Sequence, residues 1–311
     1  MIDTISTKFR ISPSPKQLTD WVRKPTVIRG DLVKDQYIHN AVIQNGSTVK
    51  CKFIPIDKSG SPLLIVEFSL PKVIYGDNVQ LVTNLEEGVE CANEKISQIS
   101  LLPEINLWQG VLGRIDFCHN YQLGEDVGEY IDVISELNLS RRVRKCYQTS
   151  VYFESEKRRV VSKFYDKFAE CGLPTARGIL RQEISLIGTN RIEPKLGKKQ
   201  PTLRDIDPKK IKEILEEDLY NLGLDKCQVI RRDDNMDICI KEFDKGKSLL
   251  MYGFLNFLLT NQGKDRKWLA ENLGVDISTI SRYYSDLKKK GIAPAFSISC
   301  RTLPPLEINY L

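Results

Sequence analysis

Seven short segments, all before residue 190, have the patterns of β-strands, which are an alternation of apolar and polar residues or, at 62–70, a dense apolar run. They are 4–11, 49–56, 62–70, 112–118, 148–154, 159–165 and 178–186. Helical patterns interrupt them at 84–101, where Asn84 can cap the helix, and at 125–137. Strands interleaved with helices, and the close spacing of 148–154 and 159–165, predict an α+β fold with a largely antiparallel sheet and flanking helices.

The composition changes after residue 188. Residues 188–207 are polar and basic, contain two prolines, and are predicted to form a linker or a long loop. Helical patterns follow at 209–222 and 247–260. Because 311 residues fit about two domains, we expect a sheet domain over 1–205 and a mostly helical domain over 206–311.

Residues 264–291 have the pattern of a helix-turn-helix. Asp265 can cap the first helix, Ala270 allows the two helices to cross closely, and Gly274 supplies a left-handed turn. The second helix is predicted to present side chains of the types that contact bases and phosphates: Ser278, Thr279, Ser281, Arg282, Ser285 and Lys288. The alternative is a helical hairpin that serves only packing or dimerisation.

The charge permits a nucleic-acid partner without requiring one. There are 46 Lys and Arg against 41 Asp and Glu, a net charge of +5. The basic residues cluster in three runs, at 141–145, 157–159 and 288–290, and such runs are commonly solvated surface.

Cysteine and histidine usage limits the chemistry. The eight cysteines form no CxxC pair, which favours reduced thiols in a cytoplasm, and no apolar run reaches the ~18 residues of a membrane span. With only two histidines, a site that needs several imidazoles is excluded.

Carboxylates occur at repeated positions in the predicted strands. Arg114 and Asp116 stand two apart in one strand, as do Arg181 and Glu183 in another, so each pair shares a face. Glu67 is the one charge inside an apolar strand. Ordinary cross-strand ion pairs explain this pattern, and so does a site for a hard ion such as Mg²⁺ or Mn²⁺.

Four blocks of the sequence, in order, resemble the gene II replication initiators of filamentous phages: LLIVEFSLPKVIYGDNVQLVTNLEEGV, GRIDFCHN, SVYFESEKRRVVSKFYDKFAE and GILRQEISL. The similarity covers roughly residues 1–190 and extends more distantly to plasmid rolling-circle initiators. It implies a site-specific nickase and strand transferase that starts rolling-circle replication through a 5′-phosphotyrosyl intermediate.

The resemblance also assigns residues. It places the nucleophile at Tyr165, with Lys167 beside it, and metal-binding acids at Asp116 and Glu183. It gives weaker positions to Glu67 and Glu170, and His119 is the nearest imidazole to the acidic strand. Arg114 and Arg181 are then expected to contact DNA.

Two other functions stay open. One is a DNA-binding regulator without catalysis, and the other is a metal-dependent hydrolytic nuclease. As an initiator, the protein is expected to bind duplex and single-stranded origin DNA, to need Mg²⁺ or Mn²⁺, and to work with a host helicase and single-strand binding protein in a bacterial cytoplasm. The sequence leaves open whether it dimerises and whether a second tyrosine, Tyr152, takes part.

Overall fold

The computed structural model describes residues 1–28, 31–57, 59–100, 102–231, 233–261, 264–297 and 302–308. It confirms an α+β fold. Its strands are β1 Ile2–Phe9, β2 Val22–Arg23, β3 Thr26–Ile28, β4 Asp31–Lys34, β5 Tyr37–Val42, β6 Thr48–Ile54, β7 Leu63–Ser69, β8 Val111–Gln122, β9 Val143–Tyr147, β10 Ser150–Glu154, β11 Val160–Asp166, β12 Ile179–Ile187, β13 Gln228–Arg231 and β14 Ile292–Ser297. Its α-helices are α1 Leu70–Tyr75, α2 Leu85–Ser97, α3 Val127–Glu136, α4 Lys167–Cys171, α5 Thr189–Leu196, α6 Pro208–Leu222, α7 Asn235–Glu242, α8 Lys245–Thr260, α9 Arg266–Leu273 and α10 Ile277–Lys289.

The chain forms two compact units, and each is made of two separate segments. The first unit comprises residues 1–118 and 184–211, and the second comprises 119–183 and 212–311. The chain passes between these units at residues 118, 183 and 211, whereas the sequence predicts one domain boundary at residue 205.

The first unit is built on antiparallel strands in the order β2-β5-β6-β7-β1-β8. In β7, Leu64, Val66 and Phe68 are buried on one face, and Glu67 lies on the other. Helix α2 begins as predicted, because the side chain of Asn84 accepts hydrogen bonds from the first-turn amides.

The prediction that 188–207 is a linker was wrong. The segment contains α5 and a short 3₁₀ turn at Leu203–Asp205. It is fixed to β8, since the amide of Leu112 donates to the carbonyl of Pro201 at 2.7 Å and the hydroxyl of Thr189 donates to the carbonyl of Leu112 at 2.8 Å. The helix escaped detection because its surroundings are polar, it contains Pro194, and Ile192 is its one fully buried residue.

The second unit contains strands in the order β12-β11-β10-β9. The hairpin predicted from the two close segments is confirmed as the antiparallel pair β10–β11, with Tyr152 opposite Lys163. Helix α6 covers one face of these strands. The amide of Gln182 in β12 donates to the carbonyl of Leu215 at 3.0 Å, and the hydroxyl of Ser162 in β11 bonds to Asp218.

Helices α7 to α10 share a second apolar core with β14, in which Leu255, Leu269, Ile280 and Leu287 are buried. Asp265 caps α9 as predicted, accepting from the amide of Trp268 at 2.8 Å. The turn between α9 and α10 runs through Gly274 at φ 64°, a backbone conformation that glycine adopts readily. In the part of the chain that the structure describes, no helix is both long and apolar enough to cross a membrane.

Candidate functional site

Tyr165 lies near the end of β11, two residues before helix α4 begins. The next residue, Asp166, caps α4 by accepting hydrogen bonds from the amides of Phe168 at 2.8 Å and Ala169 at 3.1 Å. A strand followed directly by a capped helix holds the tyrosine backbone in one conformation. The Tyr165 hydroxyl donates to Oε2 of Glu183 at 3.1 Å, and the residue is 8% exposed.

The other oxygen of Glu183 pairs with the ammonium of Lys163, which shares a strand face with Tyr165. Burial alone would raise the pKa of Glu183. The charge of Lys163, with hydrogen bonds from Lys163 and Tyr165, outweighs burial and holds that pKa below its usual range. Glu183 is therefore an ionised carboxylate that accepts a hydrogen bond from the phenol of Tyr165.

Lys167 begins α4 and is fully buried. Its Nζ pairs with Oε2 of Glu170 at 2.5 Å and lies 5.8 Å from the centroid of the Tyr165 ring. The structure thus brings together Lys167 and Glu170, both of which the family resemblance assigns to the site, and places them next to Tyr165.

Arg181 is fully buried, and its Nε donates to Oδ1 of Asn120 at 2.7 Å. The expected contact between Arg181 and DNA requires that one face of its strand be open. Instead, every residue of 179–186 in β12 is buried, because both faces of the strand are covered. A guanidinium in this position does not reach a DNA backbone, so the expected DNA contact by Arg181 is corrected.

In the first unit, Arg114 forms a fork between two carboxylates. Its Nε and Nη2 contact the two oxygens of Asp116 at 3.0 and 2.7 Å, and its Nη1 lies 3.5 Å from Oε1 of Glu67. The Asp116 side chain is 2% exposed, whereas those of Arg114 and Glu67 are 27% and 29% exposed. The three residues form an ion-pair cluster, in which Arg114 supplies the positive charge.

The expected metal ligands do not form a ready metal site. Among the described residues, no group of three or more His, Cys, Asp or Glu side chains could hold a metal ion. Glu67 and Asp116 offer the oxygen donors that Mg²⁺ prefers, but Arg114 contacts both of them, and Lys163 contacts Glu183. These donors do not fit a bound divalent ion in the arrangement described.

His119 is half-buried, with its ring edge-on to Tyr121 at 4.7 Å between centroids. Burial, followed by nearby positive charge that includes Lys212, lowers the pKa of His119 to about 4. The imidazole is therefore neutral at pH 7, and its described aromatic contact is that of a packed side chain.

The residues predicted to read DNA from α10 separate into two faces. Ser278, Arg282 and Ser285 are exposed, and Thr279 is half-buried beside them. Ser281 and Lys288 were predicted to face outward, but their side chains do not. Both are half-buried and line a cavity, and the ammonium of Lys288 bonds to the carbonyl of Tyr220 and lies 3.8 Å from the centre of its ring.

Two residues with close polar contacts have no predicted role: Lys163, for which the sequence carried a signal, and Asp3, for which it carried none. Lys163 shares the alternation of Tyr165, so its place on the same face was visible, but no role was assigned to it. Asp3 is 5% exposed and accepts hydrogen bonds from Ser69 at 2.5 Å and Asn78 at 3.1 Å. A carboxylate in the first strand has no pattern that marks it as buried.

The antiparallel sheet, with Tyr165 at a strand end and bonded to a carboxylate, lies in the part of the chain that matches a class of replication-associated proteins. The chain belongs to the family of phage replication-associated proteins described by the N-terminal region of the gene II protein, whose model matches residues 1–186. This confirms the resemblance to the phage initiators.

Two solved structures show a weak likeness to this chain. The rolling-circle replication initiator protein from Geobacillus stearothermophilus is 12% identical, with 71% of this chain and 84% of that chain covered and a TM-score of 0.33. DynU16, encoded in the dynemicin biosynthetic locus, is 12% identical, with 61% and 88% covered and a TM-score of 0.18. At these scores neither likeness bears on the function. No curated protein matches the sequence.

Proposed function

We propose that this protein initiates rolling-circle replication by cutting one strand of its origin with Tyr165 as the nucleophile. The observation that carries the proposal is the 3.1 Å hydrogen bond from the Tyr165 hydroxyl to the buried carboxylate of Glu183, within the region that matches the family. A phenol has a pKa near ~10, so it needs a proton acceptor to attack at neutral pH.

In the proposed step, the Tyr165 oxygen attacks the scissile phosphorus while its proton passes to Glu183. The bond between phosphorus and the 3′ oxygen breaks, the leaving oxygen takes a proton from water, and the hydroxide so formed takes the proton held by Glu183. The products are a 5′-phosphotyrosyl enzyme and a free 3′-OH. Because a phosphodiester is exchanged for a phosphodiester, the reverse reaction can rejoin a strand without ATP.

Lysines support this step electrostatically. Lys163 contacts Glu183 and keeps the carboxylate ionised before the reaction. Lys167, at 5.8 Å from the tyrosine ring, adds positive charge where the phenolate and the transition state develop negative charge. Glu170 holds Lys167 by the ion pair between them.

Helices α9 and α10 are proposed to grip origin duplex as a helix-turn-helix within the C-terminal region 206–311. The exposed face of Ser278, Arg282 and Ser285, with Thr279 beside it, supplies contacts of the phosphate and base type. Arg114 is partly exposed and can reach DNA if Asp116 and Glu67 release it.

A requirement for Mg²⁺ or Mn²⁺ rests on the family resemblance. Since the described carboxylates already contact cationic side chains, no step is assigned to an ion. A nicking assay in which a chelator takes the place of Mg²⁺ decides whether a divalent ion is needed. A host helicase and single-strand binding protein, acting in a bacterial cytoplasm, would extend the replication that the 3′-OH primes.

The test uses supercoiled origin DNA and the full chain. Tyr165→Phe should abolish nicking and the SDS-resistant protein–DNA adduct while origin binding in a gel-shift assay is kept. Tyr147→Phe is the matched control, because Tyr147 is 55% exposed on strand β9, which β10 separates from the strand of Tyr165, and it should nick normally. Tyr152→Phe tests whether a second tyrosine takes part.

Three outcomes separate the candidate functions. Nicking that survives in Tyr165→Phe refutes the assigned nucleophile. Nicking without an adduct in the parent protein indicates a hydrolytic nuclease, and salt-sensitive binding without nicking indicates a regulator.

A further inference from the structure

Two of the three basic runs of the sequence meet at one cavity of the second unit. The cavity has a volume of about 760 Å³ and lies between the segment 136–143, the start of α9, and α10. Its walls carry six cationic residues: Arg141, Arg142, Lys264, Arg266, Lys267 and Lys288. Three acids also line it, and one of them, Asp265, has its carboxylate engaged as the cap of α9. The cavity is therefore suited to an anion.

One wall of the cavity is a single face of α10. Ile277, Ser281, Tyr284 and Lys288 recur at helical spacing and all line it. At the helical rise per residue, the distance along the axis from the first to the last of them is ~16 Å. A stacked strand rises ~3.4 Å per nucleotide along its axis, so that length corresponds to roughly four or five stacked nucleotides, which favours a chain over one small anion.

The wall also carries apolar and planar groups. Ile277 is 51% exposed, and the Arg266 guanidinium lies 4.9 Å from the centre of the Tyr284 ring, which packs on Phe254 of the core behind it. Grooves that bind single strands combine cations for the backbone with aromatic side chains on which bases stack.

Arg141 adds an accessible positive charge to the cavity. Its side chain is exposed and lines the cavity wall. Its φ is 60°, in the left-handed region that costs most L-residues about 1–2 kcal/mol and that glycine or asparagine adopts more readily.

We propose that this cavity, the basic cleft, binds one strand of DNA. Duplex recognition requires a projection that enters a groove, whereas Ser281, Tyr284 and Lys288 are half-buried in a concave wall. The basic cleft thus adds a strand-binding site to the exposed face of α10. That the bound strand is the one released at the nick rests on the proposed function.

The test measures binding of a fluorescein-labelled, non-origin single-stranded oligonucleotide of about twelve nucleotides to the full chain by fluorescence anisotropy. All variants carry Tyr165→Phe, so that binding is measured without cleavage. Loss of two phosphate contacts lowers the salt slope by about 1.4, which at 0.1 M salt is on the order of 10- to 30-fold in affinity. Arg141→Gln combined with Arg266→Gln should show this loss.

The matched control is Arg158→Gln combined with Lys289→Gln, which makes the same change of net charge at exposed positions that do not line the cleft. Arg158 also has a left-handed backbone, at φ 51°. The control should bind within about twofold of the parent. As a check on folding, Arg141→Asn should weaken binding and yet leave the melting temperature unchanged or raised.

Equal losses in the two double variants would refute a specific cleft, because general charge would then explain them. Displacement of the oligonucleotide by a nucleoside triphosphate at equal phosphate concentration would refute a strand site in favour of a small-molecule site. Equal competition by duplex would also overturn the proposal. Nicking by the parent is scored separately, so failure of the cleft and failure of Tyr165 are distinguishable.

Discussion

Replacing Glu183 with glutamine should destabilise the protein by about 3 kcal/mol at pH 7. Glu183 is 5% exposed and holds both the Lys163 ammonium and the Tyr165 hydroxyl. Breaking a buried ion pair costs about 3–5 kcal/mol. The lower end applies here, because the Lys163 side chain is 21% exposed and an amide oxygen can still accept from Tyr165.

The pH dependence of this loss is determined by the sign of the pKa shift. The pKa of Glu183 is lowered in the folded state, so its stabilisation is fully present above the unfolded pKa of ~4.3. That stabilisation is lost as the pH falls through the folded pKa, where protonated Glu183 and glutamine become alike. The difference between the two proteins should therefore shrink below pH ~4.

Urea unfolding followed by circular dichroism, at pH 7 and at successively lower pH, measures both effects. Glu271→Gln is the control, because the Lys267–Glu271 pair is 3.9 Å apart and exposed, and it should change stability by less than about 0.5 kcal/mol. A loss for Glu183→Gln as small as that of the control, or one that grows toward acid, would refute the reasoning.

Three further outcomes are expected. Gly178→Ala should cost about 2–4 kcal/mol in thermal unfolding, because Gly178 has φ 74° and a Cβ there would lie 2.8 Å from Cα of Gly124; an unchanged melting temperature would contradict this close contact. Asp265→Ala should cost about 1 kcal/mol in urea unfolding by removing the cap hydrogen bond to Trp268, and a neutral result would show that the cap contributes nothing. The imidazole of His119 should not titrate by NMR between pH 5 and 8, since burial, with nearby positive charge, lowers its pKa to about 4; a transition near 6.5 would contradict its buried position.

Strand alternation predicted the sheet well, because its period depends on one buried face. All seven predicted strands are present. Alternation failed for strands that do not have just one buried face. Strand β9 was missed, because it overlaps the basic run 141–145 and a polar strand resembles a solvated loop. Arg181 is buried because β12 is covered on both faces, which alternation within one strand does not reveal.

The candidate site was predictable in part. The family motif located Tyr165, and alternation placed Glu183 and Lys163 on faces that proved to meet. The inward position of Ser281 and Lys288 was not predictable, because the cavity that they line is formed with residues far away in sequence, and Lys288 contacts Tyr220.

Helix α6 has a consequence for how the protein is made. It covers the back of β11 and β12 through Ser162–Asp218 and Gln182–Leu215, contacts that join residues 56 and 33 positions apart. A ribosome therefore synthesises the strand that carries Tyr165 well before the helix that completes its packing. We expect a nascent chain that stops before α6 to leave these strands uncovered. The order of synthesis would then restrict the proposed DNA cleavage by Tyr165 to chains that have been translated beyond this helix.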